Sequence, residues 1–251
     1  MKFIPQPIAF RIGSWPIYWY GILLATAISL GTYLVLKEAK KKGLDPDQIL
    51  NIILMVLPAA FLGARLYYVI FNWSYYQRFP LEILAVWQGG LAIHGGLIAG
   101  FLAAFFLLRK YGLDFWLAAD IAAPSIILGQ AIGRWGNFFN QEAYGYEVDP
   151  TSFPFAMYID GAYRHPTFLY ESLWNVFVFL LLISLRRKKG LLTGDLFLLY
   201  LILYSLGRFF IEGLRTDSLM LTANLRMAQV VSALVIGVGL ILLGYRHKRV
   251  S

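Results

Sequence analysis

Residues 120–145 read DIAAPSIILGQAIGRWGNFFNQEAYG. The first half is almost wholly apolar. The second half crowds Arg134, Asn137, Asn140, Gln141 and Glu142 among aromatics and glycines. Extended back to Phe115, the apolar run covers residues 115–133, close to the ~20 residues a helix needs to cross a bilayer core. The fold turns on whether this run crosses a membrane, and the rest of the chain answers.

Of 251 residues, 59% are apolar and 14% are charged, and mean hydropathy is +0.63. A soluble domain averages about 45–50% apolar and about 25% charged residues. Water does not solvate such a chain as a compact globule, so the class is a polytopic membrane protein. No long linker, low-complexity tract or internal repeat stands out. The opening MKFIPQPIAFRIGSWP lacks the apolar core and small-residue cleavage site of a signal peptide, so the first span is expected to stay in the mature protein. There is no cysteine. Disulfides, thiolate metal sites, a cysteine nucleophile and self-lipidation are excluded, and any thiol in the chemistry belongs to a substrate.

The apolar runs predict an all-α domain of seven transmembrane helices, at about 15–36, 49–71, 92–108, 115–133, 167–185, 196–213 and 227–244. Residues 146–164 form a loop between the fourth and fifth. Alternate loops differ in charge. One set holds thirteen basic residues, including Lys40, Lys41, Lys42 and the run Arg186 to Lys189. The other holds six: Lys2, Arg11, Arg78, Arg164, Arg215 and Arg226. The positive-inside rule then puts the C-terminus in the cytoplasm, and the N-terminus and the 146–164 loop outside. The net charge of +8 reads as inner-leaflet anchoring, with no nucleic-acid partner expected.

Arg65, Arg134 and Arg208 lie within or at the ends of spans. An arginine there needs a partner or a wet cavity, which makes each a candidate for function. For Arg65, snorkelling or an internal ion pair is an equal reading. His94 opens the third span in LAIHGGL, either as a helix-to-helix hydrogen-bond partner or as a general acid or base. The glycines after it let backbone or ligand come close. If 130–141 is helical, Gln130, Arg134, Asn137 and Asn140 or Gln141 share one face. A guanidinium fork with clustered amides suits a phosphate, and the plain alternative is an Arg134–Glu142 pair. Gly136 and Gly145 favour an early helix end or tight loop there.

In RHPTFLYES, residues 164–172, Pro166 suits the first turn of the fifth span, Glu171 lies in its second turn, and His165 reads as a cap. In the sixth span, Tyr200, Tyr204, Arg208, Glu212 and Arg215 fall on one face. An Arg208–Glu212 ion pair accounts for part of that face but not for the tyrosines or the second arginine. With the orientation above, His94, the 133–145 block, His165 and the end of the sixth span all lie toward the outer leaflet. No His and carboxylate grouping has metal-ligand spacing, so neither metal nor cofactor is expected.

These stretches resemble the prolipoprotein diacylglyceryl transferase family. Its signature, Gly-Arg-x-Gly-Asn-Phe-x-Asn-x-Glu-x-x-Gly, is met at Gly133, Arg134, Gly136, Asn137, Phe138, Asn140, Glu142 and Gly145. HGGL at 94–97, Trp-Tyr-Gly at 19–21, RHPTFLYE and the Arg-x-x-x-Glu-x-x-Arg end of the sixth span also match, in order. The resemblance implies a seven-span enzyme of the bacterial cytoplasmic (inner) membrane, with its active site toward the external leaflet. It implies transfer of the sn-1,2-diacylglyceryl group from phosphatidylglycerol to the lipobox cysteine beside a preprolipoprotein signal peptide, releasing glycerol phosphate. It carries over Tyr20, His94, Arg134, Asn137, Glu142, Gly145 and Arg208 as functional positions.

The chemistry fits those residue types. Charge grows on the phosphate as the glycerol C–O bond breaks, and Arg134 and Arg208 are suited to meet it. The thiol must become thiolate, so His94 is the candidate base, although an arginine field alone would also favour thiolate. Asn137, Asn140, Glu142, Gly145, Tyr20, Tyr204 and Glu212 are candidates for holding the phosphatidylglycerol headgroup or the arginines. Both substrates are amphipathic, so entry from the surrounding membrane lipids is expected. An anion transporter would use the same arginines but predicts polar residues along a path to both sides. Another headgroup enzyme would call for a nucleophile motif or metal-binding carboxylates, which are not evident. A bare scaffold leaves the convergence of polar residues unexplained.

Overall fold

The computed structural model describes residues 5–153, 155–159, 161–222 and 225–249, without the Gln88 side chain. Lys2, counted among the basic residues above, lies outside them.

The chain is mostly helical. Seven helices of 18 residues or more occur among the described residues: α1 (Trp19–Lys41), α2 (Pro46–Phe71), α4 (Ile93–Lys110), α5 (Phe115–Asn140), α6 (Thr167–Leu185), α7 (Asp195–Glu212) and α8 (Met227–Lys248). A single turn, α3, covers Trp73–Tyr76. Six of the long helices are apolar enough to cross a membrane. The other, α7, carries Asp195, Arg208 and Glu212 within its 18 residues.

The all-α expectation misses three two-stranded hairpins: β1 (Ile8–Ile12) with β2 (Trp15–Tyr18), β3 (Met157–Ile159) with β4 (Ala162–Arg164), and β5 (Met220–Thr222) with β6 (Leu225–Arg226). The first corrects the start of the first span. Gly13 adopts a φ of 59°, which a glycine takes without steric cost and which lets the chain reverse. Trp15–Tyr18 therefore pairs back on Ile8–Ile12, and the helix begins only at Trp19. The end of the fourth span is corrected too. The helix runs through Gly136 to Asn140, and Gly136 fits beneath the Tyr20 ring, where a Cβ would lie 2.4 Å from Tyr20 Cδ2.

The chain divides into two compact units. In the unit Leu36–Ala118, α2 and α4 pack through small residues. A Cβ on Gly95 would lie 2.3 Å from Gly63 O, and one on Gly63 would lie 2.2 Å from Ala99 Cβ. Backbones this close suit helix pairing in lipid, where contact and not hydrophobic exclusion holds helices together. The glycines of HGGL thus face a neighbouring helix. The α2–α4 connection wraps around Arg65, a buried residue. Its guanidinium donates to Ile83 O at 2.8 Å, Gly89 O at 2.8 Å, Gly90 O at 2.9 Å and Glu82 O at 2.5 Å. The Tyr76 ring lies 5.2 Å away. Neither snorkelling nor an ion pair describes it; Arg65 clamps main-chain carbonyls and so fixes the shape of the connection.

The other unit holds the residues up to Val35 and those from Ala119 on. Its core gathers Ala123, Ile127, Val178, Leu182, Leu196 and Tyr200. Gly207 lies against the Trp174 ring, and Trp174 Nε1 donates to Leu203 O at 2.8 Å, which locks α6 to α7. At the N-terminal end of α7, Asp120 accepts from Gly194 N at 2.5 Å and Phe197 N at 2.9 Å, satisfying helix-start donors. There Asp195 Oδ2 also meets His247 Nε2 at 2.7 Å. This pinning of one end of α5, α7 and α8 orients the other end, where the polar motifs gather.

Candidate active site

Four chain segments of this second unit bring charge together. Arg134 comes from the last turns of α5, Glu171 from the second turn of α6, and Arg208 and Glu212 from the end of α7. Arg215 and Asp217 follow α7 directly.

Glu171 is the hub. Its Oε2 meets Arg134 Nη2 at 2.7 Å, and its Oε1 meets Arg208 Nη1 at 3.0 Å and Arg215 Nη1 at 3.4 Å. The Glu171 side chain is 4% exposed, whereas those of Arg134 and Arg208 are 20% and 19% exposed. Arg208 Nη2 also pairs with Glu212 Oε2 at 2.6 Å, the expected i,i+4 pair. Arg215 forks onto Asp217, with Nε to Oδ1 at 2.9 Å and Nη2 to Oδ2 at 2.6 Å. A fourth arginine, Arg226, donates to Glu212 O and to the Tyr146 hydroxyl. Burial pushes the Asp217 carboxyl up, but the hydrogen bonds and charge of Arg215 outweigh it and hold that carboxyl below the usual range.

The signature residues form the rim. Gln141 and Ala143 take left-handed φ values of 54° and 58°, rare for residues with a Cβ. They turn the chain so that Glu142 N returns to Asn137 O at 3.0 Å. Glu142 Oε1 then accepts from Asn137 Nδ2 at 2.9 Å and Asn140 Nδ2 at 3.3 Å, and Asn137 Oδ1 lies 3.4 Å from Arg134 Nη1. Glu142 thus fixes the amides. The Arg134–Glu142 pair weighed from sequence is replaced by Arg134–Glu171, because the αL turn hands Glu142 to the asparagines.

Gly145 is close-packed for another reason. A Cβ there would lie 2.7 Å from His165 Cβ and 2.8 Å from Leu214 O, while Gly145 N donates to His165 O at 3.0 Å. Gly145 and Arg215 form an isolated antiparallel bridge, which ties the signature loop to the segment after α7. The Thr167 hydroxyl donates to Ala143 O, joining the start of α6 to the same loop. Capping by His165 is not what the structure gives: Nδ1 meets the Tyr170 hydroxyl at 2.9 Å, and α6 has no side-chain cap bond.

Tyr20 lines the same unit through its ring on Gly136. Gln130 Nε2 donates to the Tyr200 hydroxyl at 3.1 Å, and Tyr204 stacks on Tyr200 with ring centroids 6.1 Å apart. His94 belongs to the Leu36–Ala118 unit, in the first turn of α4, exposed and with its ring 6.3 Å from that of Tyr67. Of the residues singled out from sequence, Arg134, Asn137, Asn140, Glu142, Arg208 and Glu212 are joined by direct bonds to one another or through Glu171. The reading missed Glu171 as the hub and Arg226 as a fourth cation. A carboxylate one turn into an apolar run that opens on Pro166 was the available signal for the first.

A cluster of partly exposed guanidiniums on a fixed carboxylate is chemically able to receive an anion, since each fork keeps donors beyond those Glu171 uses. The family model of prolipoprotein diacylglyceryl transferase matches residues 7–245. Proteins named phosphatidylglycerol--prolipoprotein diacylglyceryl transferase are similar along nearly their whole length. That of Bacillus licheniformis is 51% identical over 251 residues, covering 96% of this chain and 93% of the relative. That of Bacillus velezensis is 49% identical over 253 residues, covering 97% and 93%. That of Bacillus mycoides is 51% identical over 256 residues, covering 98% and 94%. The chain belongs to the prolipoprotein diacylglyceryl transferase family.

Proposed function

We propose that this chain is a membrane enzyme that transfers a diacylglyceryl group from phosphatidylglycerol to a prolipoprotein. The observation that carries the reading is the arginine cluster formed around Glu171 by Arg134, Arg208 and Arg215, in a chain of this family. The acceptor is the lipobox cysteine next to the signal peptide of a preprolipoprotein, and the group moved is the sn-1,2-diacylglyceryl. The thiolate sulfur attacks the glycerol carbon that bears the phosphate ester. A C–S bond forms, the C–O bond breaks, and the electron pair leaves on glycerol phosphate. The thiol proton passes to a base.

Arg134 and Arg208 bind the phosphate and hold its growing charge. Asn137, Asn140 and Glu142 form the amide rim beside Arg134, and Glu212 fixes Arg208. Tyr20, Tyr204 and Gly145 shape the headgroup site. His94 is the base by residue type, since an imidazole nitrogen can accept the thiol proton. The anion-transporter reading draws no support from the family.

The enzyme spans the bacterial cytoplasmic membrane seven times, with α7 as the seventh span, in one transmembrane domain. Its N-terminus and active site face outward and its C-terminus faces the cytoplasm. The charge bias of the loops supports this orientation. Within the second unit, α6 carries Glu171 in its second turn and ends at Leu185 just before the basic run Arg186–Lys189, and α8 follows Arg226 and carries Arg246 and Lys248 in its last turn. The arginine cluster and the basic ends therefore belong to opposite ends of these helices. Both substrates reach the site laterally from the membrane lipids.

The test is transfer of radiolabel from phosphatidylglycerol to a lipobox peptide by purified protein. Label on the peptide cysteine is expected, and its absence from active, folded protein overturns the reading.

A further inference from the structure

Three guanidiniums on one carboxylate pose a question that phosphate binding alone does not answer. Like charges at this spacing repel, and a cluster meant only to hold a phosphate would be stronger without a buried anion in its centre. Yet Glu171 occupies that centre, is nearly inaccessible to solvent, and engages both of its oxygens. It belongs to α6, whereas its partners belong to α5, α7 and the segment after α7. Its turn of α6 is held by contacts besides these ion pairs. Ser172, the next residue, donates to Ala131 O at 3.0 Å and accepts from Trp135 Nε1 at 3.2 Å, so this turn of α6 is tied to both sides of Arg134 on α5.

The donors are divided. Arg134 gives Nη2 to Glu171, while among the described residues its Nη1 reaches the Asn137 amide oxygen, at 3.4 Å. Arg215 spends its Nε and Nη2 on Asp217. Arg208 is held from two sides, by Glu171 and Glu212. Arg134 is thus anchored by one carboxylate, whereas Arg208 and Arg215 are each held by at least two, and the guanidiniums of Arg134 and Arg208 remain partly exposed.

We propose that Glu171 is a positioning residue and fixed counter-ion for the transfer reaction: it converges Arg134, Arg208 and Arg215 on one point, and its charge keeps them from retaining the product. This rests on the transferase reading. The donor phosphate is a monoanionic diester, whereas the leaving glycerol phosphate approaches a dianion. An arginine cluster without an internal anion would hold the dianion more tightly than the substrate and stall. Glu171 opposes that excess while holding the geometry that the transition state needs. Its role is exerted through the arginines.

The measurement is binding of glycerol phosphate to the full-length protein in nanodiscs by calorimetry, run beside the peptide-transfer assay, for wild type, Glu171→Gln and Glu171→Asp. Glu171→Gln keeps the shape and removes the charge. Glycerol phosphate should bind it roughly fivefold or more tightly than wild type, while turnover falls at least about tenfold with an unraised KM for phosphatidylglycerol. A merely structural role lowers the active fraction without tightening product. Glycerol phosphate binding that is unchanged or weaker in folded Glu171→Gln overturns the proposal. If that variant does not fold, Glu171→Asp decides. It keeps the charge but draws it back by one methylene, so product binding should stay within about twofold while transfer drops about tenfold. Full transfer by Glu171→Asp overturns the positioning role. Absence of transfer by wild type would count against the enzyme reading and leave the binding comparison standing as a test of the counter-ion.

Discussion

Arg134 Nη2 stands 2.7 Å from Glu171 Oε2, so the signature arginine is anchored by a different helix and not by its own loop. That contact joins α5 to α6 and leaves Glu142 to organise the asparagines. The arrangement separates the jobs of the two glutamates and makes their substitutions distinguishable.

Arg134→Lys should lose about 10²–10³ in kcat/KM, because a lysine point charge does not hold Glu171 and a phosphate in one planar fork. Glu142→Gln should be milder, about tenfold, since it weakens the fixing of Asn137 and Asn140 but leaves Arg134 on Glu171. Steady-state transfer to a lipobox peptide measures both. Equal losses would contradict the division of roles.

Gly145→Ala tests whether the signature glycine serves packing. The new Cβ would sit 2.7 Å from His165 Cβ and 2.8 Å from Leu214 O, so the Gly145–Arg215 bridge must open. Overpacking of this kind costs about 1–3 kcal/mol. The variant should melt lower in detergent and lose transfer about tenfold or more. An unaltered melting temperature with lost activity would show that the glycine acts on the ligand.

Arg65→Met should unlock the α2–α4 connection. It leaves the carbonyls of Glu82, Ile83, Gly89 and Gly90 without the donor they share. A hydrogen bond to a charged group contributes about 1.5–3 kcal/mol, and several are lost together, so local opening is expected. Limited proteolysis should cut residues 77–92 faster than in wild type. Equal resistance would contradict the clamp.

The pH dependence of the Arg215–Asp217 fork has a definite sign. Its carboxyl is held below the ordinary value of about 3.9. The pair therefore stabilises above that value, and its contribution is lost only as pH falls through the still lower folded value. Between pH 5 and 9, Asp217→Asn should lower or preserve the rate without changing the shape of the profile. A titrating limb in that range that vanishes in Asp217→Asn would contradict it.

The sequence displayed the helices and the cations, and much less of their partners. Apolar runs reveal long helices because each must meet the lipid, and the four-residue spacing through Tyr200, Tyr204, Arg208 and Glu212 is visible within one helix. Glu171 is far from Arg134, Arg208 and Arg215 along the chain, and no local period links them. The glycine at 136 read as a helix end but packs against the Tyr20 ring inside α5, a contact distant in sequence, and the β1–β2 hairpin turns on a single reversal at Gly13. Arg65 was visible as a cation in an apolar stretch, but main-chain carbonyls leave no mark in residue identity.

The most direct measurement is glycerol phosphate release from phosphatidylglycerol by purified protein in nanodiscs, with a lipobox peptide and with its Cys→Ser counterpart. The account predicts release that requires the cysteine and disappears in Arg134→Ala. Release that ignores the cysteine, or that persists in Arg134→Ala, would contradict it.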